Sequence, residues 1–280
     1  MSAYTIRRMS EPELAVAVEW AAREGWNPGL HDAELFFNAD PTGFFAGEIE
    51  GQIVAVGSAV RYDDHFAFCG LYIVAPGFRG RGLGLALTEA RLDYCGSRNV
   101  GIDGVLENVE LYQRIGYRPF HRNHRYQVTA AAQPPAARGV ARISDQDVEQ
   151  VLAYDRLCFP AERAGFLKPW MAQPDGRALL ARRGGAVAGF AVRRKCRSGH
   201  KVGPLFADDP ATAHALFAAL QEDIVGEALI LDVPGNNASA MALASAFGME
   251  EVFATVRMYQ HGLPDVDHGR VYGITTFELG

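Results

Sequence analysis

Residues 74–87, VAPGFRGRGLGLAL, place glycines at 80, 82 and 84, set Arg79 and Arg81 among them, and run on into an apolar stretch. Glycine inside a helix costs about 1 kcal/mol relative to alanine, so three so close together point to a ligand that must approach the main chain. The chemistry that rewards so bare a backbone is anion binding. N–H groups in the first turn of a helix have no internal acceptors, and the helix dipole adds partial positive charge. Glycines let a diphosphate come within hydrogen-bond reach of those groups, and the arginines offer further charge. The spacing therefore predicts a diphosphate cradle over Arg79, Gly80, Arg81, Gly82, Leu83 and Gly84, where a strand ending near Val74 meets a helix over about 82–94.

Two other cradles are excluded by the same residues. The dinucleotide fingerprint G-x-G-x-x-G fits Gly80 and Gly82 but meets Leu85 at its third glycine, and the preceding strands read as antiparallel rather than βαβ. The G-K-[ST] of a nucleoside-triphosphate loop is absent.

The elements that position this loop follow from periodicity and punctuation. A strand at TIRR leads into a helix with Ser10 as N-cap and Glu13 as its capping-box partner. GFFAGEIEG, QIVAVGSAVRY and FAFCGLYIVA read as strands. After the glycine-opened helix come the strand NVGIDGV, a helix at NVELYQRIG ended by Gly116, and the strand RPFHRNHRYQV. Residues 129–140, TAAAQPPAARGV, have the composition of a linker. Beyond it the order repeats: GVARIS, a helix at DQDVEQVLAYDRLC, the strands RALLARR, AVAGFAVRRK and HKVGPLFA, then PATAHALFAALQEDI, EALILDV, ASAMALASAFG and EEVFATVRMYQH. Leu111 to Gly116 matches Leu243 to Gly248, and Tyr126 and Tyr259 follow their glycines by nearly equal distances, so the halves read as two copies of one fold.

Composition bounds the rest. A chain of 280 residues, 49% hydrophobic and 21% charged, has the make-up of one large or two ordinary globular domains. A net charge of −6 argues against nucleic-acid binding. Cys69, Cys95, Cys158 and Cys196 show neither zinc-ligand nor disulfide spacing. MSAYTIRRMS lacks the apolar core of a signal peptide, and no run approaches the ~18 apolar residues of a membrane helix, so the cytoplasm is the expected compartment. No residue pattern specifies an oligomeric state.

The run Val74-x-Pro76-x-Phe78-Arg79-x-x-Gly82-x-Gly84 fills every position of V-x-P-x-[FYW]-[RQ]-x-x-G-x-[GA], and in this it resembles the GNAT superfamily of acyl-CoA-dependent N-acyltransferases. The resemblance covers residues 4–128 well, and the repeat is similar to tandem GNAT proteins with a diverged second half. It implies an α/β (α+β) fold of two GNAT-like domains, 1–128 and 141–280, each a mixed, mostly antiparallel twisted sheet flanked by helices. It implies acetyl-CoA as cosubstrate and no metal, with the diphosphate on residues 79–84 and the pantetheine arm paired to the backbone of Ile73 and Val74. Residues 105–117 keep Leu111, Tyr112, Gly116 and an aromatic from the pattern N-x-x-A-x-x-L-Y-x-x-x-G-F, with Val105 and Asn108 in place of its Asn and Ala. Asn108 and Tyr112 are accordingly expected at the cofactor, and Tyr112 is the residue that the resemblance implies as general acid to the departing thiolate.

An amine acceptor must lose a proton, and Glu24, Asp32, Asp103 and His65 are candidates, with Asp103 the best placed carboxylate and a buried structural aspartate its alternative. EGWNPGLHDAELFF and the helix before it, with Trp20, Trp26, Asn27 and His31, either wall the acceptor pocket or pack between two short helices. In the second half Asp208 and Asp209 stand where the cradle belongs, and Ala244 stands at the tyrosine position, although Asn237, Ala240, Leu243, Gly248 and Met249 keep the second pattern. That half is expected to keep the fold without the chemistry, either completing the acceptor pocket or stabilising its partner. RVYGITTFELG alternates like a strand that pairs back into a sheet, and RRKCRSGHK reads as a solvated hairpin tip. The expected activity is N-acetylation of a small-molecule primary amine; the alternatives are protein N-acetylation and a non-catalytic acyl-CoA sensor.

Overall fold

The protein is described by a computed structural model that covers residues 3–132 and 139–280. Most of the expected linker, residues 133–138, lies outside the described residues, while Thr129 and Val140 at its ends belong to strands. The first half runs β1 (Tyr4–Arg8), α1 (Glu11–Arg23), α2 (Asp32–Phe37), β2 (Phe44–Ile49), β3 (Gln52–Arg61), β4 (Phe66–Val74), α3 (Leu83–Cys95), β5 (Asn99–Val105), α4 (Val109–Arg114) and β6 (Arg118–Thr129). The second runs β7 (Val140–Arg142), α5 (Val148–Cys158), α6 (Ala164–Ala172), β8 (Arg177–Arg183), β9 (Ala186–Lys195), β10 (His200–Ala207), α7 (Pro210–Ala219), β11 (Ala228–Pro234), α8 (Ala238–Ala246), β12 (Glu250–Tyr259) and β13 (Val271–Gly273).

Local chemistry explains the elements. Glu13 accepts from the N–H and hydroxyl of Ser10, 2.8 and 2.9 Å, which fixes the start of α1, and Leu14, Ala17, Val18 and Ala21 form its buried stripe. The repeat is visible in matching helix ends. Tyr117 donates to Tyr112 and Gly116 to Gln113, while Met249 donates to Ala244 and Gly248 to Ser245, each glycine lying at positive φ. Helix α6 is an addition to the sequence reading, since Gly165 and Pro169 inside it weaken the helical signal while its buried face (Phe166, Leu167, Trp170) stabilises it.

Each half contributes a mostly antiparallel array, and the arrays join into one sheet in the order β1-β2-β3-β4-β5-β12-β6-β11-β10-β9-β8-β7, with β13 against β10. The last repeated strand of each half has crossed over. β12 pairs β5, β6 pairs β11, and the two crossed strands pair each other at the centre. The boundary that separates the halves in sequence therefore does not separate them in space, and one buried cluster draws Leu14, Phe36 and Ile73 together with Trp170, Phe190 and Leu279.

Both crossed strands carry an arginine directly opposite an aspartate. Arg257 faces Asp103 with contacts of 2.7 and 2.9 Å, and Arg125 faces Asp232 with contacts of 2.7 and 2.8 Å. All four are buried. Burial opposes the charge on Asp232, but Arg125 outweighs it and holds the carboxyl below its ordinary range.

Candidate active site

Strands β4 and β5 run parallel and pair only at Phe66–Phe68 with Asn99–Gly101 before they diverge. A cavity of about 640 Å³ opens in the splay, lined on one side by Cys69 to Val74 and on the other by Ile102 to Val105. The cavity-facing edge of β4 has no strand partner there among the described residues. A bulge at Leu71 and Tyr72, opposite Gly57, adds a kink, and Leu71 sits at φ 45, a costly conformation for a leucine. Arg91 of α3 ties its flanks by donating to the carbonyls of Ser58 at 2.8 Å and Gly70 at 3.3 Å. An unpaired strand edge against a ligand-sized cavity can take an extended ligand as an added strand. Ala75 donates to Val54 on β3, so by strand alternation the polar groups of Val74 face the cavity and those of Ile73 face β3. Of the two backbones expected at the pantetheine arm, only Val74 is so directed; Ile73 lines the cavity and is buried in the core.

The cradle lies where α3 begins. Gly82 is its N-cap at φ 78, no side chain caps the helix, and the first intrahelical bond runs from Ala86 to Gly82. That leaves the N–H groups of Leu83, Gly84 and Leu85 without helical acceptors at the mouth of the cavity. Gly80 and Gly82 are needed for positive φ and have open space beside them, whereas a Cβ on Gly84 would lie 2.1 Å from the Tyr72 hydroxyl. The arginines depart from expectation. Arg79 turns back, donating to the Val74 carbonyl at 2.8 Å and to Glu24 at 2.5 Å, so its charge is compensated. Arg81 lies over the Phe78 ring. Among these residues it is the backbone N–H groups that remain free to meet an anion.

Tyr112 lines the cavity, packed against Gly104, where a Cβ would lie 2.6 Å from its ring, and edge-on to Tyr117. Burial raises its pKa and a hydrogen bond with Asn108 partly opposes the rise, so the phenol keeps its proton near neutrality. Asp103 must be corrected as a candidate base. Besides Arg257 it accepts from Asn123 at 2.6 Å, and its carboxylate is wholly buried in that network. Glu24 reaches the cavity but is paired with Arg79. Asp32 accepts from Gly29 at 2.7 Å and pairs with Arg194 at 3.1 Å in the interior, and His65 is exposed outside the cavity.

Of the expected acceptor residues, Trp26 lines the cavity. Trp20 packs against the core, Asn27 exchanges hydrogen bonds with Ser198, and His31 lies 3.4 Å from Asp175. Asn27 and His31 thereby join the halves instead. RRKCRSGHK is solvated only at its tip, Arg197 and Ser198: on the flanking strands Arg193, Arg194, His200 and Lys201 are buried, and Lys201, lowered by burial to about 8, donates to the Trp26 carbonyl. The far end of the cavity is built from residues that sequence reasoning missed, namely Arg125, Phe253, Thr255, Phe277 and Glu278. The strand exchange and the chain that follows β13 bring them there, and no local spacing signals either.

Matches to known families bear on both halves. Residues 9–117 match the acetyltransferase (GNAT) family and residues 151–273 match an acetyltransferase (GNAT) domain. A holothin acyltransferase from a Pseudoalteromonas species is 33% identical over 278 residues, covering 99% of this chain and 95% of that protein. The chain belongs to the GNAT family. Among solved structures, a putative acetyltransferase from Pyrococcus horikoshii superposes with a TM-score of 0.85 at 20% identity, covering 100% and 97% of the two chains. A tandem GNAT protein from the clavulanic acid biosynthesis pathway gives 0.64 at 14%, covering 94% and 100%. Both similarities concern the fold.

The second GNAT half has the same splay, filled. β10 and β11 pair only at His200–Val202 with Leu229–Leu231, and β13 then lies against Leu205 and Phe206 while Ile274 donates to the Asp232 carbonyl. Asn237 holds this plug, donating to the carbonyls of Gly269 and Val271 at 3.0 and 2.9 Å. The helix after β10 is capped by its own Asp209, which accepts from the Thr212 N–H at 2.8 Å and pairs with Arg183. The expected strand over RVYGITTFELG is thus three residues long, and the chain beyond it crosses to the first half, where the Leu279 carbonyl accepts from Tyr62.

Proposed function

We propose that this GNAT chain transfers an acetyl group from acetyl-CoA to a primary amine of a small molecule by direct attack on the thioester. The observation that carries this reading is the open splay of β4 and β5, running from the uncapped start of α3 to the Tyr112 hydroxyl. The free N–H groups of Leu83, Gly84 and Leu85 hold the diphosphate, and the edge of β4 at Val74 pairs the pantetheine arm. A backbone N–H of the bulge polarises the thioester carbonyl as negative charge develops on its oxygen. Tyr112 gives its proton to the departing sulfur.

A small acceptor is supported by the lining of the cavity, where Trp26, Phe253 and Phe277 offer aromatic surface. The similarity over nearly full length to a protein named holothin acyltransferase favours an enzyme over a sensor. The test is to incubate the chain with acetyl-CoA and a panel of amines while following free thiol. Release that depends on the amine is expected; tight binding of acetyl-CoA without release for any amine overturns the reading.

A further inference from the structure

Glu278 is a carboxylate that the fold has placed at the cavity and left unpaired. The residue is 5% exposed and lines the far end of the cavity. Its carboxylate has no hydrogen-bond or ion-pair partner among the described residues. Its oxygens are not among the sealed, unsatisfied polar atoms of the described residues, so the carboxylate opens onto the cavity, where a ligand can reach it. Two of the three cations around it are committed to other carboxylates. Arg125 of β6, Arg194 of β9 and Lys201 of β10 lie within Coulombic range of it. Arg125 is paired with Asp232 and Arg194 with Asp32, whereas Lys201 donates to the neutral Trp26 carbonyl and is steadied at a distance by Glu278 and Asp232. Of the other acidic residues lining the cavity, Glu24 and Asp103 are engaged by Arg79 and Arg257, and Glu107 is exposed on the short turn before α4.

Its position relative to the reacting groups follows from the backbone. The Glu278 carbonyl sits so close to Gly70 that a Cβ there would lie 2.1 Å from it. Gly70 immediately precedes the bulge of β4, and Gly280 lies against the Phe68 ring at the root of the splay. Tyr62 fastens the segment through the Leu279 carbonyl at 2.8 Å. The chain that plugs the second half's splay thus ends beside the open one.

We propose that Glu278, delivered by the second half, receives the acceptor as an ammonium ion and takes its proton. The substrate class is a primary amine on an uncharged body that rests against Phe253 and Phe277. This rests on the transferase reading given above. Glu278 takes one proton from the ammonium and later releases it to water. The freed nitrogen lone pair forms the C–N bond as the carbonyl π pair moves onto oxygen. That pair re-forms the carbonyl, the C–S bond breaks with its electrons on sulfur, and the sulfur takes the Tyr112 proton. The surplus proton on nitrogen returns to the Tyr112 phenolate, so ammonium and thioester give amide, thiol and one proton.

The experiment compares wild type and Glu278→Gln by thiol release across pH, with an amine that the wild type accepts. The variant is expected to lose about 10²–10⁴-fold in kcat, to keep the acetyl-CoA dissociation constant and melting temperature, and to recover rate as pH rises toward the pKa of the free amine. Glu278→Ala should regain part of the loss with added formate, which a purely structural role would not allow. Wild-type kcat and pH profile in Glu278→Gln overturn the inference, as does loss of folding in both variants. Should the wild type turn over no amine at all, the transferase reading itself fails, and a difference between the variants is no longer at issue.

Discussion

The two halves of this chain share every repeated strand and differ in what they do with the same gap. After β4 and β5 part, the space stays open; after β10 and β11 part, β13 occupies it. Helix α3 begins at a bare Gly82, and α7 begins at Asp209, whose side chain satisfies the turn. Tyr112 stands on the first half's short helix where Ala244 stands on the second's. The difference teaches that the first half leaves backbone groups at the gap without partners, as the proposed cofactor site requires, whereas the second half satisfies the same groups from its own chain and gains packing.

The largest effect should come from removing the one side chain that most separates the halves chemically. Tyr112→Phe is expected to lower kcat by about 10²–10⁴-fold while leaving acetyl-CoA affinity in calorimetry unchanged. A turnover equal to wild type would take the hydroxyl out of the mechanism. The buried ion pairs test what the halves share. Asp103→Asn and Asp232→Asn each strand a buried arginine, and each should cost about 3–5 kcal/mol in urea denaturation. Unequal losses would mean that the crossed strands are not held alike.

Gly82→Asp would set a carboxylate at the start of α3 as Asp209 stands at the start of α7, on a backbone whose positive φ strains any side chain. The carboxylate would repel phosphate at the orphan donors, so the acetyl-CoA dissociation constant should rise by about 10²-fold, roughly the loss of one or two charge-assisted hydrogen bonds. The smallest effect concerns the crossed strand β6. Burial, reinforced by Arg257 and His268, pushes His121 down to about 3, so it is neutral in the folded chain. An unfolded histidine takes up a proton below about 6.5, so this contribution to stability is complete above that pH and is lost as pH falls toward 3. Between pH 6.5 and pH 5 the cost is at most about 2 kcal/mol. His121→Gln should flatten the wild-type loss in denaturation midpoints measured at those two values.

The backbone of the turn before α3 was legible because its demands are local. Positive φ at Gly80 and Gly82 and clearance at Gly84 are written in residue type and spacing, as are the capping box at Ser10 and the helix ends at Gly116 and Gly248. The acceptor end was not, because Phe253, Thr255, Phe277 and Glu278 arrive from more than a hundred residues away along the chain. Alternation tells that β6 and β12 are strands but carries no information on which neighbour each will take. Side chains that read as polar handles, such as Asn27 and His31, and an arginine that read as solvated, Arg194, proved to be fastenings between halves, while Arg193 is buried and pairs with Asp223 inside the second half. A charged residue in a hairpin looks the same in sequence whether water or a buried carboxylate will face it.

The crossed strands have one more consequence. Two identical subunits that trade strands about a twofold axis must present the same groove twice, and any change that blocks one blocks the other. Joined in a single polypeptide, the partners are released from that equality. One groove was sealed by a stretch of chain whose far end finishes the wall of its sibling, a division of labour that strict symmetry forbids.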